Sequence, residues 1–273
     1  MNPMKLTASF YQQFDADYTR EVPAEGYGGW QQEEIELAPD HTALVVMHAW
    51  EAGTMEQWPG WRRCVEYHPR ALKILAEVFP PLLATVRASP LPVFHVVGGR
   101  DYYSHLPGYQ RAVQLAGPSP EFQQVTKDSF LERLEQFRGE KVFVGARNRP
   151  DVDEGWKELT FAPQAVPVGQ EGIAENGHQL AALCRAHGIN HLVYIGFAIN
   201  WCLLMSPGGM VDMGRYGVMC STIREAVTAV ENKETAREER EKQQALWRTA
   251  INSGFVFGLK DFTKAVESLP MGN

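Results

Sequence analysis

Three unbroken apolar runs constrain this chain more than any other feature: residues 42–48 (TALVVMH), 91–97 (LPVFHVV) and 191–197 (HLVYIGF). A strand with one wet face alternates polar and apolar residues, so a continuous run signals burial on both faces. The second and third runs each follow a helical pattern, over residues 70–88 and 177–187. The pair Pro80–Pro81 is expected to break or kink the first helix. Strands that alternate with helices build right-handed βαβ units and a parallel sheet covered on both sides. The expected fold class is therefore α/β, a three-layer α/β/α sandwich around a mostly parallel, Rossmann-like sheet. Residues 166–168, 218–220 and 255–257 are weaker strand candidates.

Domain organisation follows from where this pattern starts. Residues 1–40 are polar and aromatic with no clear period, and a turn is expected at 26–29. They are expected to form an N-terminal arm outside the core, with residues 41–273 as one domain. The arm's aromatics, among them Phe10, Tyr11, Phe14 and Trp30, are too many for a disordered tail. The arm should thus pack on the domain or on a second copy of the chain. Residues 98–163, rich in Gly, Pro and aromatics and expected to be helical only over 129–137, should frame a pocket. The charged stretch 231–242 has the pattern of a solvated helix face.

Composition excludes several classes. The net charge of −7 argues against nucleic acid as a partner. No run of about 18 apolar residues is present, so no membrane partner is expected. The polar N-terminus does not resemble a signal peptide, which points to the cytoplasm. Cys64, Cys184, Cys202 and Cys220 lack CxxC spacing, so neither disulfides nor a zinc ribbon is expected.

Ligands of open parallel sheets bind just beyond the carboxyl ends of the strands. Reactive groups follow three such ends: His48, the pair Arg100 and Asp101, and Cys202. The segment 196–202 (GFAINWC) has the form of a strand end, a turn and a cysteine opening a helix. A thiol at a helix N-terminus is held toward the thiolate, and the same N–H groups can bind an oxyanion. The alternative is a buried, inert cysteine.

That segment, with Gly214 further on, resembles the nucleophile turn of the isochorismatase-like cysteine hydrolases, which include nicotinamidases. The resemblance extends over about residues 42–270: Glu175-Asn176-Gly177 and the helix after it resemble the elements that lead into the family's nucleophile strand. It implies the Rossmann-like sandwich, a cis peptide before Ala198, and hydrolysis of a small amide or related C–N bond through a thioester on Cys202. The family's triad is Asp–Lys–Cys, and here only Cys202 is in place. His48 stands where the aspartate belongs, and Gly169 and Gln170 stand near the place of the lysine. Lys157 is the nearest upstream lysine and would need a different loop path. The family's metal-binding Asp-x-His falls on Asp101-Tyr102-Tyr103, with His105 out of register, so no metal or other cofactor is expected.

His48 has three readings: a base toward the Cys202 thiol, a binding group in a pocket that no longer reacts, or a structural partner of a carbonyl. Asp101 is the candidate to orient His48. Ala198 and Cys202 would supply the oxyanion N–H groups, and Asn200, Arg100, Trp201 and Tyr102 are the expected binding residues. Trp50 and Tyr103 are further candidates to line the pocket, unless they serve packing alone. The expected partners are a small-molecule substrate and further copies of the chain. The rival function is a binding module that keeps the fold without the chemistry.

Overall fold

The computed structural model describes residues 2–270. Ten strands occur in it: β1 (Met4–Gln12), β2 (Gly29–Leu37), β3 (Thr42–Met47), β4 (Trp50–Glu51), β5 (Val93–Val96), β6 (Thr160–Phe161), β7 (Gly172–Ala174), β8 (His191–Phe197), β9 (Met219–Thr228) and β10 (Val256–Phe257). Eight of them form one sheet in the order β2-β1-β10-β9-β8-β3-β5-β7, while β4 and β6 pair separately. From β10 through β7 every neighbour pair is parallel, and β1 and β2 join antiparallel at one edge. The sheet grows from β3 to β5 and β7 on one side and to β8, β9 and β10 on the other. The strand order therefore reverses between β3 and β8, where an open α/β sheet has its crevice.

The apolar runs form the predicted strands because both faces are covered. Leu44 and Val46 of β3 join the core under α2 (His68–Glu77), α3 (Phe79–Arg87) and α10 (Leu259–Glu267). Ala43, Val45 and Met47 join the opposite core, under α4 (Pro107–Ala116), α7 (Gly177–His187) and α9 (Arg240–Asn252). The period-two alternation of a strand thus serves two helical layers. The break at the proline pair is present, since α2 ends at Glu77 and α3 places Pro80 in its first turn. There the missing N–H leaves no helix bond unmade. At α7, the Asn176 side chain accepts the Gln179 N–H at 3.0 Å, and Gly188 ends the helix in the left-handed region.

Four expectations need correction. Residues 4–12 and 29–37 are not an arm outside the core but a hairpin of the main sheet, with Met4, Leu6 and Ala8 buried. Its two strands are paired along their whole length, which turns a mixed polar sequence into an edge element. Residues 166–168 form no strand; the edge position belongs to β7, a few residues later. The charged stretch is mostly turn, with α9 starting only at Arg240. Glu231 is buried there, accepting the Glu241 and Lys242 N–H groups at 3.0 Å each. Finally, the long insertion holds α4, α5 (Ser129–Lys141) and α6 (Arg149–Lys157), more helix than its sequence suggested.

Candidate active site

At the switch point, β3 and β8 are held close by a glycine. Gly196 pairs with Met47, and a Cβ placed on it would lie 1.9 Å from the Met47 carbonyl oxygen. With φ +125 it also occupies a region that favours glycine. This contact brings the residues after both strands to one side of the sheet. The residue after β3, His48, takes φ 51, an uncommon conformation for a side-chain-bearing residue. After β8 the Phe197–Ala198 peptide is cis, as the resemblance implies, and a π-helical turn over Ile199–Leu203 carries Cys202.

His48, Ala198, Trp201 and Cys202 line one cavity of about 180 Å³. Its remaining walls come chiefly from β4, α1 (Pro59–Cys64), α2 with the residue before it, α6 and the segment after α5. Trp50, Trp61, Tyr67, His68, Phe143 and Trp156 are the large residues they contribute. The expectation that the insertion frames the pocket holds, because Phe143, Val144, Val152 and Trp156 all come from it. The His48 imidazole stacks on Trp50, with ring centroids 4.4 Å apart and planes 16° from parallel. Trp50 in turn packs against Trp156 at 5.4 Å and donates its indole N–H to the Tyr102 hydroxyl at 2.8 Å.

Burial sets the electrostatics. It lowers the His48 pKa to about 4, an effect the Val97 carbonyl only partly opposes, so the imidazole is neutral near pH 7. The buried His48 Nδ1 and His68 Nε2 have no hydrogen-bond partner of ordinary geometry among the described residues. His68 is likewise pushed down to about 4, by burial and then by the Arg62 charge. Burial raises the Cys202 thiol, against smaller opposing contributions from Ser206 and the Ala198 backbone. Of the two readings of this cysteine, burial favours the raised thiol over the thiolate, because desolvation opposes what a five-residue turn inside an apolar wall offers. Tyr67 is raised as well, by burial first and then by the neighbouring Cys202.

Other predicted site residues lie elsewhere. Asp101 and Arg100 are exposed and do not line the cavity, so Asp101 does not orient His48 and Arg100 clamps nothing within it. The strand end bends away there, and Gly99 packs on Trp156 instead. Tyr102 stands behind Trp50 and fixes its indole, outside the cavity wall. Asn200 uses its amide on the Val230 backbone, donating at 2.8 Å and accepting at 2.9 Å, and so positions a cavity residue rather than binding a ligand. Tyr103 donates to Glu175 at 2.9 Å. Lys157 is exposed on α6 and paired with Glu154. Among the described residues, no hydrogen bond joins His48 to Cys202, and no three His, Cys, Asp or Glu side chains gather to hold a metal. Sequence reasoning missed Tyr67, His68, Trp61 and Trp156, which lie far from any strand end and reach the cavity only through the packing of α1, α2 and α6.

Several solved structures are similar to this fold. A cysteine hydrolase from Pseudomonas syringae pv. phaseolicola is 14% identical, with 85% of this chain and 95% of that one covered and a TM-score of 0.48. An isochorismatase family protein from Burkholderia thailandensis is 16% identical, with 85% and 98% covered and a TM-score of 0.45. An N-carbamoylsarcosine amidase from Thermoplasma acidophilum is 15% identical, with 80% and 96% covered and a TM-score of 0.42. The likeness is one of fold. No family profile matches the chain, and no curated protein does. At such identities the chemistry of the site has to come from this chain's own residues.

Proposed function

We propose that the chain is a cysteine hydrolase that cleaves a small amide or related C–N bond, with Cys202 as nucleophile and His48 as general base. The observation that carries this reading is the convergence of the thiol and an imidazole, one from each side of the switch point, on a single enclosed cavity. In the first step Sγ attacks the carbonyl carbon, and the thiol proton passes to His48. The Ala198 and Cys202 N–H groups are the candidates to hold the oxyanion. Collapse breaks the C–N bond, and the amine leaves with the proton from His48. Water then cleaves the thioester, releasing the acid and restoring the thiol.

The electrostatics shape that mechanism. With the imidazole near 4 and the thiol raised by burial, a resting thiolate–imidazolium pair is disfavoured. The proton therefore moves as the C–S bond forms, not beforehand. Because His48 stays neutral down to about pH 5, turnover should not fall on the acid side until below that value. Replacing His48 by Ala should cost about 10²- to 10⁴-fold in rate. Cys202→Ser should abolish thioester formation, followed as acyl-enzyme mass or by hydroxylamine trapping.

A second reading is favoured by the raised thiol and by the exposed position of Asp101 and Lys157: a small-molecule binding module on a hydrolase-like fold. The two separate on a panel of simple amides. Turnover lost in Cys202→Ser supports the hydrolase, whereas saturable binding with no acyl-enzyme and no turnover supports the module.

A further inference from the structure

The cavity has a property that the reaction scheme leaves unused: among the described residues, no Asp, Glu, Lys or Arg lines it. Its polar groups are the thiols of Cys64 and Cys202, the Tyr67 hydroxyl, the indole N–H groups and the imidazoles of His48 and His68. Burial keeps both imidazoles neutral. A carboxylate or ammonium entering this space would lose its hydration and meet no counter-ion on the wall itself, a penalty that grows as the local dielectric falls. Arg62, whose charge reaches His68, stands outside the wall and donates to the Gly53 carbonyl. Cation–π attraction does not restore the balance for a cation. Trp61 and Trp156 stack on each other, 5.8 Å apart and 20° from parallel, so part of their faces is already covered, and His48 covers a face of Trp50.

Besides His48, a second histidine of the wall carries a buried nitrogen without a partner among the described residues. His68, at the first position of α2, is 8% exposed, and its buried Nε2 has no partner among the described residues. Nearly all buried polar atoms in a folded protein are paired, so one that is not calls for an explanation, and a role toward a bound group is one. His68 packs edge-on to Trp61 and stacks on Tyr67, contacts that fix its ring without using that nitrogen.

We propose that this cavity selects an uncharged, flat and largely apolar molecule with a single polar end, and that His68 is a binding residue for that end. The inference rests on the cavity being the substrate site, as in the hydrolase reading, but it concerns binding and is independent of turnover. It gives α2 a place in specificity that the strand ends alone do not suggest. A primary amide suits either tautomer of His68, since it carries both a donor and an acceptor.

Three probes of one shape test the charge rule: benzamide, benzoate and benzamidinium, titrated against the full chain at pH 7.5. Trp50, Trp61, Trp156 and Trp201 line the cavity, so tryptophan fluorescence reports occupancy directly. Benzamide should give saturable quenching and bind at least about tenfold tighter than either ion, a discrimination in keeping with an unpaired buried charge. His68→Phe keeps a ring and removes the nitrogens; it should weaken benzamide about five- to tenfold, with His68→Gln restoring part of the loss. Melting curves of both variants show whether they fold, and if His68→Phe does not, His68→Gln against His68→Leu carries the comparison. Cys202→Ala should bind benzamide like the parent, which separates this proposal from the catalytic one. Equal or tighter binding of either ion overturns the charge rule, and unchanged affinity in folded His68 variants overturns the role of His68. Absence of saturable quenching by all three probes removes the cavity as a site for molecules of this class.

Discussion

At Cys202 two influences oppose each other. The turn after β8 offers backbone N–H groups, whereas the aromatic wall withdraws water, and the second outweighs the first because the turn is short and the thiol largely desolvated. Iodoacetamide should consequently label Cys202 slowly at pH 7, with the rate still rising above about pH 9. A labelling rate that levels off below pH 8 would show a thiolate and revive the simpler expectation from the sequence. Gly196 is the other decisive residue. Gly196→Ala would drive a methyl group into the Met47 carbonyl at a position with φ +125. The expected loss is about 4 kcal/mol or more, at the severe end for a single substitution, visible as a collapse of Tm.

Among the elements, the β1–β2 hairpin and the loop before β7 carry the clearest consequences. Met4, Leu6 and Ala8 lie in the same core as α10, so Leu6→Ala should destabilise by about 2–4 kcal/mol and trypsin should not clip the hairpin from the native protein. The loop before β7 is fastened through Glu171. Its carboxylate accepts from Arg87 at 2.7 and 2.9 Å, pairs with His95 at 2.8 Å and accepts the Val168 N–H at 2.9 Å. Burial alone would raise Glu171, but these bonds outweigh it and hold the carboxyl at about 2. His95, driven down by burial, is the neutral partner. Glu171→Ala leaves Arg87 and His95 without their acceptor and should cost about 3–5 kcal/mol by denaturant unfolding.

For the molecule as a whole, pH dependence is the accessible test. His48, His68 and His191 all have folded-state values of about 4, below the ordinary 6.5, because burial disfavours the imidazolium. The unfolded chain therefore binds more protons between those values, and unfolding is favoured as pH falls. Their contribution is complete above about pH 6.5 and is lost as pH drops to about 4, so Tm should fall over that interval. A further loss should follow below about 4.5 as Glu171 takes up its proton. Replacing His68 by Phe should flatten part of the first decline and leave the second unchanged. Among the described residues no helix is long and apolar enough to cross a membrane.

Much of the layered architecture was legible in the sequence, because a strand buried on both faces has to be largely apolar, and β3, β5 and β8 are, with His95 and His191 each paired where it is buried. The ends of those strands likewise pointed to His48 and Cys202, since ligands of an open parallel sheet bind beyond the carboxyl ends of its strands; that both flank the switch point was decided by the strand order. The hairpin was hidden because an edge strand pairs through its backbone, and Gly29–Leu37 keeps polar side chains facing water. The four aromatic and histidine residues that close the cavity were hidden for a different reason. Trp61, Tyr67 and His68 on one stretch and Trp156 on another lie far from Cys202 in the chain, and only the packing of those elements brings them around it. That same packing decides the sign of the thiol's shift, because desolvation depends on what surrounds a group in space and not on its neighbours along the chain.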